Sequence, residues 1–203
     1  MNKNFERELP DGYKQVYHLN ATDKKIGIIF TLGSFIPFII LLPIAIILIN
    51  ANGGFGEFNF LMFEIATFGI GIILLAYMVL HELTHGIVYK AMTKETLKFG
   101  LSWSCAYCGV PNIFVYRKTA ILALIMPFVV FSIIFIPATI ALFFVHSYLF
   151  IGAIIILSLH LGGCIGDLYD LYLYLFKYKD PSTLMKDTGP EQFFYVKEVH
   201  ENL

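Results

Sequence analysis

His81-Glu82-Leu83-Thr84-His85 sets two imidazoles and a carboxylate within five consecutive positions. On an α-helix, residues i and i+4 share a face, so both histidines can reach one metal ion. Glu82 lies roughly 100° round the helix from His81, close enough to meet a metal-bound water and act as general base. A catalytic Zn²⁺ wants three protein ligands and one open position. The spacing therefore predicts His81 and His85 as metal ligands, Glu82 as the catalytic residue, and a third ligand from elsewhere in the chain.

These groups sit at the end of an apolar run, ILLAYMVL at 73–80, where ionisable side chains are expensive. The whole chain is 58% hydrophobic and 14% charged, against about 45–50% and about 25% for an ordinary soluble domain. A soluble fold of 203 residues could not hide so much apolar surface. An integral membrane protein follows, with the lipid bilayer as a partner. The net charge of -1 gives no reason to expect nucleic acid. The first 25 residues are polar and charged, so no cleavable signal is expected there. Cys105, Cys108 and Cys164 make no disulfide framework. The Cys105/Cys108 pair lacks the second pair that a structural zinc site needs, and reads as reduced packing thiols.

Four segments are long enough to span a bilayer, at 26–49, 61–89, 120–144 and 148–176. Pro37 and Pro43 predict a kink in the first; Pro127 and Pro137 lie in the third. The connector between spans two and three is rich in aromatic and β-branched residues and reads as short strands or a hairpin at the membrane surface. Trp103, Tyr107 and Tyr116 within it look like interfacial anchors. The expectation is a single domain over 1–203, an all-α four-span bundle with a short strand-rich connector. The fourteen lysines and arginines all fall in 1–25, 90–118 and 177–203. The positive-inside rule makes those segments cytoplasmic, giving a multi-pass cell-membrane protein with both termini inside.

The third ligand is sought at matching depth. Asp167 lies ten residues before Lys177, and His81 nine before Lys90. At ~1.5 Å per residue both lie about 13–15 Å in from the ends of their helices, so antiparallel spans would bring them level. Asp167 is the expected third ligand. Asp170, His160 and Cys164 share its helix face and stand as alternatives for a ligand, a supporting contact or a substrate contact. Asn112 in the connector is a further candidate for a supporting or substrate contact. Gly162, Gly163 and Gly166 would let another backbone approach closely.

With H-E-x-x-H in one span and Asp167 in a later one, the chain resembles intramembrane zinc metalloproteases of the site-2 type. More closely it resembles the family of small prokaryotic membrane proteins described as putative zincin peptidases. The likeness runs from the first span to the fourth: HELTHG at 81–86 matches the zinc-binding helix, and Gly166-Asp167-Leu168 takes the place of the third-ligand motif. Around that position site-2 proteases usually carry Leu-Asp-Gly, where this chain has HLGGCIGDLYD. The resemblance implies a zinc-dependent endopeptidase acting on transmembrane or membrane-anchored protein substrates near the cytoplasmic face. The alternative is a metal-binding membrane protein without protease activity, serving transport or assembly.

Overall fold

The structure, a computed structural model, describes residues 3–102 and 106–198. Trp103 and Cys105, singled out above, lie outside the described residues. Four helical stretches are long and apolar enough to cross a membrane: Lys24–Ala51, Phe60–Thr93, Arg117–Phe143 and Ser147–Lys177. They overlie the four expected spans. The first is two helices, α1 (Lys24–Ser34) and α2 (Ile36–Ala51), with Pro37 in the first turn of α2. The fixed φ of proline suits a first turn, and its missing N–H breaks the ladder from the preceding helix. Pro43 lies inside α2 without ending it. The second is one unbroken helix, α3 (Phe60–Thr93), and the third is α4 (Arg117–Phe143). The fourth divides into α5 (Ser147–Gly163) and α6 (Ile165–Tyr172), followed by a π-helical turn at Leu173–Lys177. Ile39, Phe68, Ile72 and Leu75 on these helices are each about two-thirds exposed. Apolar faces of this extent suit a multi-pass membrane protein.

The chain forms two compact units. One comprises Met1–Ile28, Leu80–Pro127 and Gly166–Leu203. It holds all seven strands among the described residues: β1 (Phe5–Glu6), β2 (Tyr13–Asn20), β3 (Lys98–Leu101), β4 (Ala106–Gly109), β5 (Phe114–Tyr116), β6 (Leu184–Asp187) and β7 (Glu191–Lys197). Five of them make an antiparallel sheet in the order β1-β5-β6-β7-β2, while β3 and β4 form a separate hairpin. The register pairs Phe5 with Val115, Tyr116 with Leu184, and His18 with Phe193. The strand-rich connector is as expected, but an all-α description is too narrow. The two terminal segments supply four of the five strands of the sheet. Val115, Met185 and Phe194 of the sheet close a core with Val88 and Tyr89 of α3 and Ala120, Ala123 and Leu124 of α4. A sheet with one apolar face must bury it against another layer, and here α3 and α4 supply that layer.

The other unit comprises Ile29–Val79 and Phe128–Ile165. Here α2 packs on α5 through Ala45, Ile49, Phe150 and Ile154. Gly162 has the role expected of a small residue at a helix contact, yet its neighbour is the Ser34 carbonyl at the end of α1, which a Cβ at 162 would overlap.

Candidate metal centre

The last three turns of α3 carry His81, His85 and Tyr89 at four-residue intervals, so they form one buried stripe, while Leu83 and Ile87 face outward. The helix ends where Lys94 takes a left-handed φ of 63°. Lys90 Nζ then donates to the carbonyls of Lys94 and Glu95, at 3.2 and 3.1 Å. Gly86, the next residue after His85, has no side chain to hold the β3–β4 hairpin away. A Cβ there would lie 2.8 Å from Phe99 Cζ and 3.1 Å from Leu97 Cδ1.

Asp167 stands in the first turn of α6, just past the break at Cys164. Its Oδ2 lies 3.2 Å from His81 Nε2 and 3.4 Å from His85 Nε2. The three donor atoms fall within 4.8 Å of one another, and no other such trio of His, Cys, Asp or Glu occurs among the described residues. Tetrahedral zinc with bonds of about 2.0–2.2 Å sets neighbouring donors roughly 3.3–3.5 Å apart. The two imidazoles and the carboxylate therefore fit the metal in both donor type and spacing. His85 Nδ1 donates to the Ala123 carbonyl at 2.9 Å, which turns the Nε2 lone pair toward Asp167. Glu82 is half-buried beside this set, with His85, His81, Asp167 and Asp187 as its charged neighbours.

The other candidates are placed differently. Asp170 is 3% exposed, its Oδ1 has no hydrogen-bond partner among the described residues, and it is not part of the trio. His160 belongs to the second unit, where Nδ1 meets Tyr77 Oη at 2.9 Å and Nε2 meets Ser132 Oγ at 3.1 Å. His160 is fully buried, with both nitrogens in hydrogen-bond contact. Cys164 Sγ packs 3.8 Å from His160 Nδ1. Asn112 is exposed in the turn between β4 and β5.

Three groups escaped the sequence reading. The Ala123 carbonyl is one, since a backbone atom leaves no mark in the type of its own residue. Tyr89 is another: its Oη donates to Asp187 Oδ2 at 2.7 Å, a bond visible in sequence only as one more buried position on the histidine stripe. Asp187 is the third. It sits 4% exposed in β6, and also accepts the Gly189 N–H at 2.9 Å. Burial pushes its carboxyl up to about 6, against the lowering effect of those two bonds. Burial likewise pushes the Cys108 thiol up to about 12, which keeps it protonated and inert.

A family model described as "Putative zincin peptidase" matches residues 74–182, more than half of the chain. The match takes in the histidine stripe, the connector, α4, α5 and Asp167. No curated protein and no solved structure matches the chain. With the histidine stripe and Asp167 both inside the matched region, the chain belongs to the family described as "Putative zincin peptidase", a metallopeptidase family by that description.

Proposed function

We propose that the chain is a zinc-dependent endopeptidase that cuts membrane-associated protein substrates within the bilayer, near its cytoplasmic face, in the manner of site-2 proteases. The observation that carries this reading is the convergence of His81 Nε2, His85 Nε2 and Asp167 Oδ2 within 4.8 Å, with Glu82 adjacent on the same helix. These three residues would hold the metal. The chemistry a bound zinc supplies is Lewis acidity, which acidifies a water and polarises a scissile carbonyl. Glu82 takes the proton from the attacking water and returns it to the leaving amine, so its carboxylate is regenerated and the protons balance.

Sidedness is supported by the sheet. The three lysine- and arginine-rich segments, 1–25, 90–118 and 177–203, all contribute strands to it, as segments on one side of a membrane must if they are to pair. Substrate handling is supported by the hairpin. β3 pairs with β4 alone among the described residues, so its other edge can take an extended chain by strand addition. Phe99 and Leu101, 49% and 71% exposed, offer such a chain apolar company. A transmembrane substrate must unwind first, since a helix hides its carbonyls in its own ladder.

The test is zinc per chain and cleavage of a membrane-helix substrate, measured on detergent-purified wild type and Glu82→Gln. Stoichiometric zinc in both, with cleavage by wild type alone, is expected. Wild type without zinc refutes the reading, and zinc in both without any cleavage favours the non-proteolytic metal-binding alternative.

A further inference from the structure

Pro127 stands in the interior of α4, four residues after Ala123. In an unbroken helix the N–H of residue 127 would donate to the carbonyl of residue 123. Proline has no N–H, and its ring crowds the carbonyl four residues back, tilting it off the helix axis. Pro127 and Ala123 are both fully buried, so water cannot take the vacated bond. A buried carbonyl needs a donor, and here the donor is His85 Nδ1 at 2.9 Å. An imidazole that donates from Nδ1 keeps its lone pair on Nε2, the atom 3.4 Å from Asp167 Oδ2.

We propose that Pro127 is a positioning residue of the metal centre: by withholding a backbone N–H it reserves the Ala123 carbonyl for His85 and so fixes the tautomer and direction of that ligand. This rests on the reading of His85 as a metal ligand. The same helix holds its own control. Pro137 also lacks an N–H, but it is exposed and belongs to the second unit.

The test uses the full-length protein in detergent and measures zinc affinity by competition with a chelator, alongside the melting temperature of the metal-free form. Pro127→Ala restores the N–H and is expected to fold, to melt close to wild type, and to bind zinc roughly 10–100-fold more weakly. Pro127→Val, which restores the same N–H and fills the volume, is expected to weaken zinc equally, and Pro137→Ala to leave it unchanged. Wild-type affinity in Pro127→Ala overturns the proposal. So does loss in Pro127→Ala with full affinity in Pro127→Val, since packing would then be responsible. Should wild type bind no zinc, the metal reading fails on that count alone. The proposal is then read in the metal-free protein from proton exchange at His85 Nδ1. Slow exchange in wild type with fast exchange in Pro127→Ala upholds it, and equal rates overturn it.

Discussion

His85 and His160 are both buried imidazoles in apolar helices, 7% and 0% exposed, yet their surroundings differ in kind. His160 has each nitrogen closed by a hydroxyl, from Tyr77 and Ser132, inside a ring of Phe128, Phe131 and Phe135. Its polarity is spent on joining α3, α4 and α5. His85 has one nitrogen anchored on a backbone carbonyl, while the other faces a carboxylate that also faces His81. Burial is common to both and so says nothing about chemistry. What sets the two apart is whether the second nitrogen is closed by a group of its own or shares a focus with other donor atoms.

The hardest blow to that contrast is removal of the shared focus. Asp167→Ala should lower zinc affinity roughly a hundredfold or more, because it removes one of three protein ligands, where loss of a mere supporting partner already costs about 10–100-fold. Asp170→Ala, one turn on and outside the trio, should leave zinc affinity within about twofold. Competition titration against a chelator checks both. Zinc loss in Asp170→Ala with retention in Asp167→Ala would mean that the wrong carboxylate faces the histidines.

Next in size is a pH effect from Asp187, the buried carboxylate joined to the histidine stripe through Tyr89. Its folded value of about 6 stands above the ~3.9 of an unfolded aspartate. The folded state therefore holds this proton more tightly, and the associated stability is fully present at low pH. It is lost as pH rises from about 4 to about 6, after which both states are ionised and the slope ends. Two pH units correspond to roughly 2–3 kcal/mol. Asp187→Asn should flatten that window in a denaturation series. Tyr89→Phe, which removes a bond that lowers the value, should extend it upward. A profile of unchanged slope in Asp187→Asn would show that another group is responsible.

The histidine stripe was legible because helical period alone decides which residues share a face, and Asp167 because depth along a span can be counted. The sheet was not. β1 is two residues long and pairs with a strand some 110 positions away, so no local window holds both partners. In β2, YKQVYHLN, the alternation is blurred by a register shift between Gln15 and Tyr17. Asp187 carries no local signal in the sequence, since its burial comes from its place in β6 and its bond with Tyr89 of α3. The anchor of His85 had a trace in the sequence after all: Pro127 marks which carbonyl of α4 lacks its helical partner, though not which donor arrives.

The smallest effect is expected at His160. His160→Leu keeps the volume roughly constant and removes the contacts that His160 makes with two hydroxyls, Tyr77 Oη and Ser132 Oγ. Hydrogen bonds between membrane helices contribute about 0.6–2 kcal/mol, because the separated helices also find partners. A loss of about 1–2 kcal/mol in detergent unfolding is therefore expected, with zinc content and affinity unchanged. Ser132→Ala should account for part of that loss, and adding it to His160→Leu should cost less than the two singly, since they share one bond. If His160→Leu instead released zinc while its unfolding stayed at wild type, His160 would be a ligand in its own right. The distinction between the closed and the open imidazole would then fail as a guide to which histidine does chemistry.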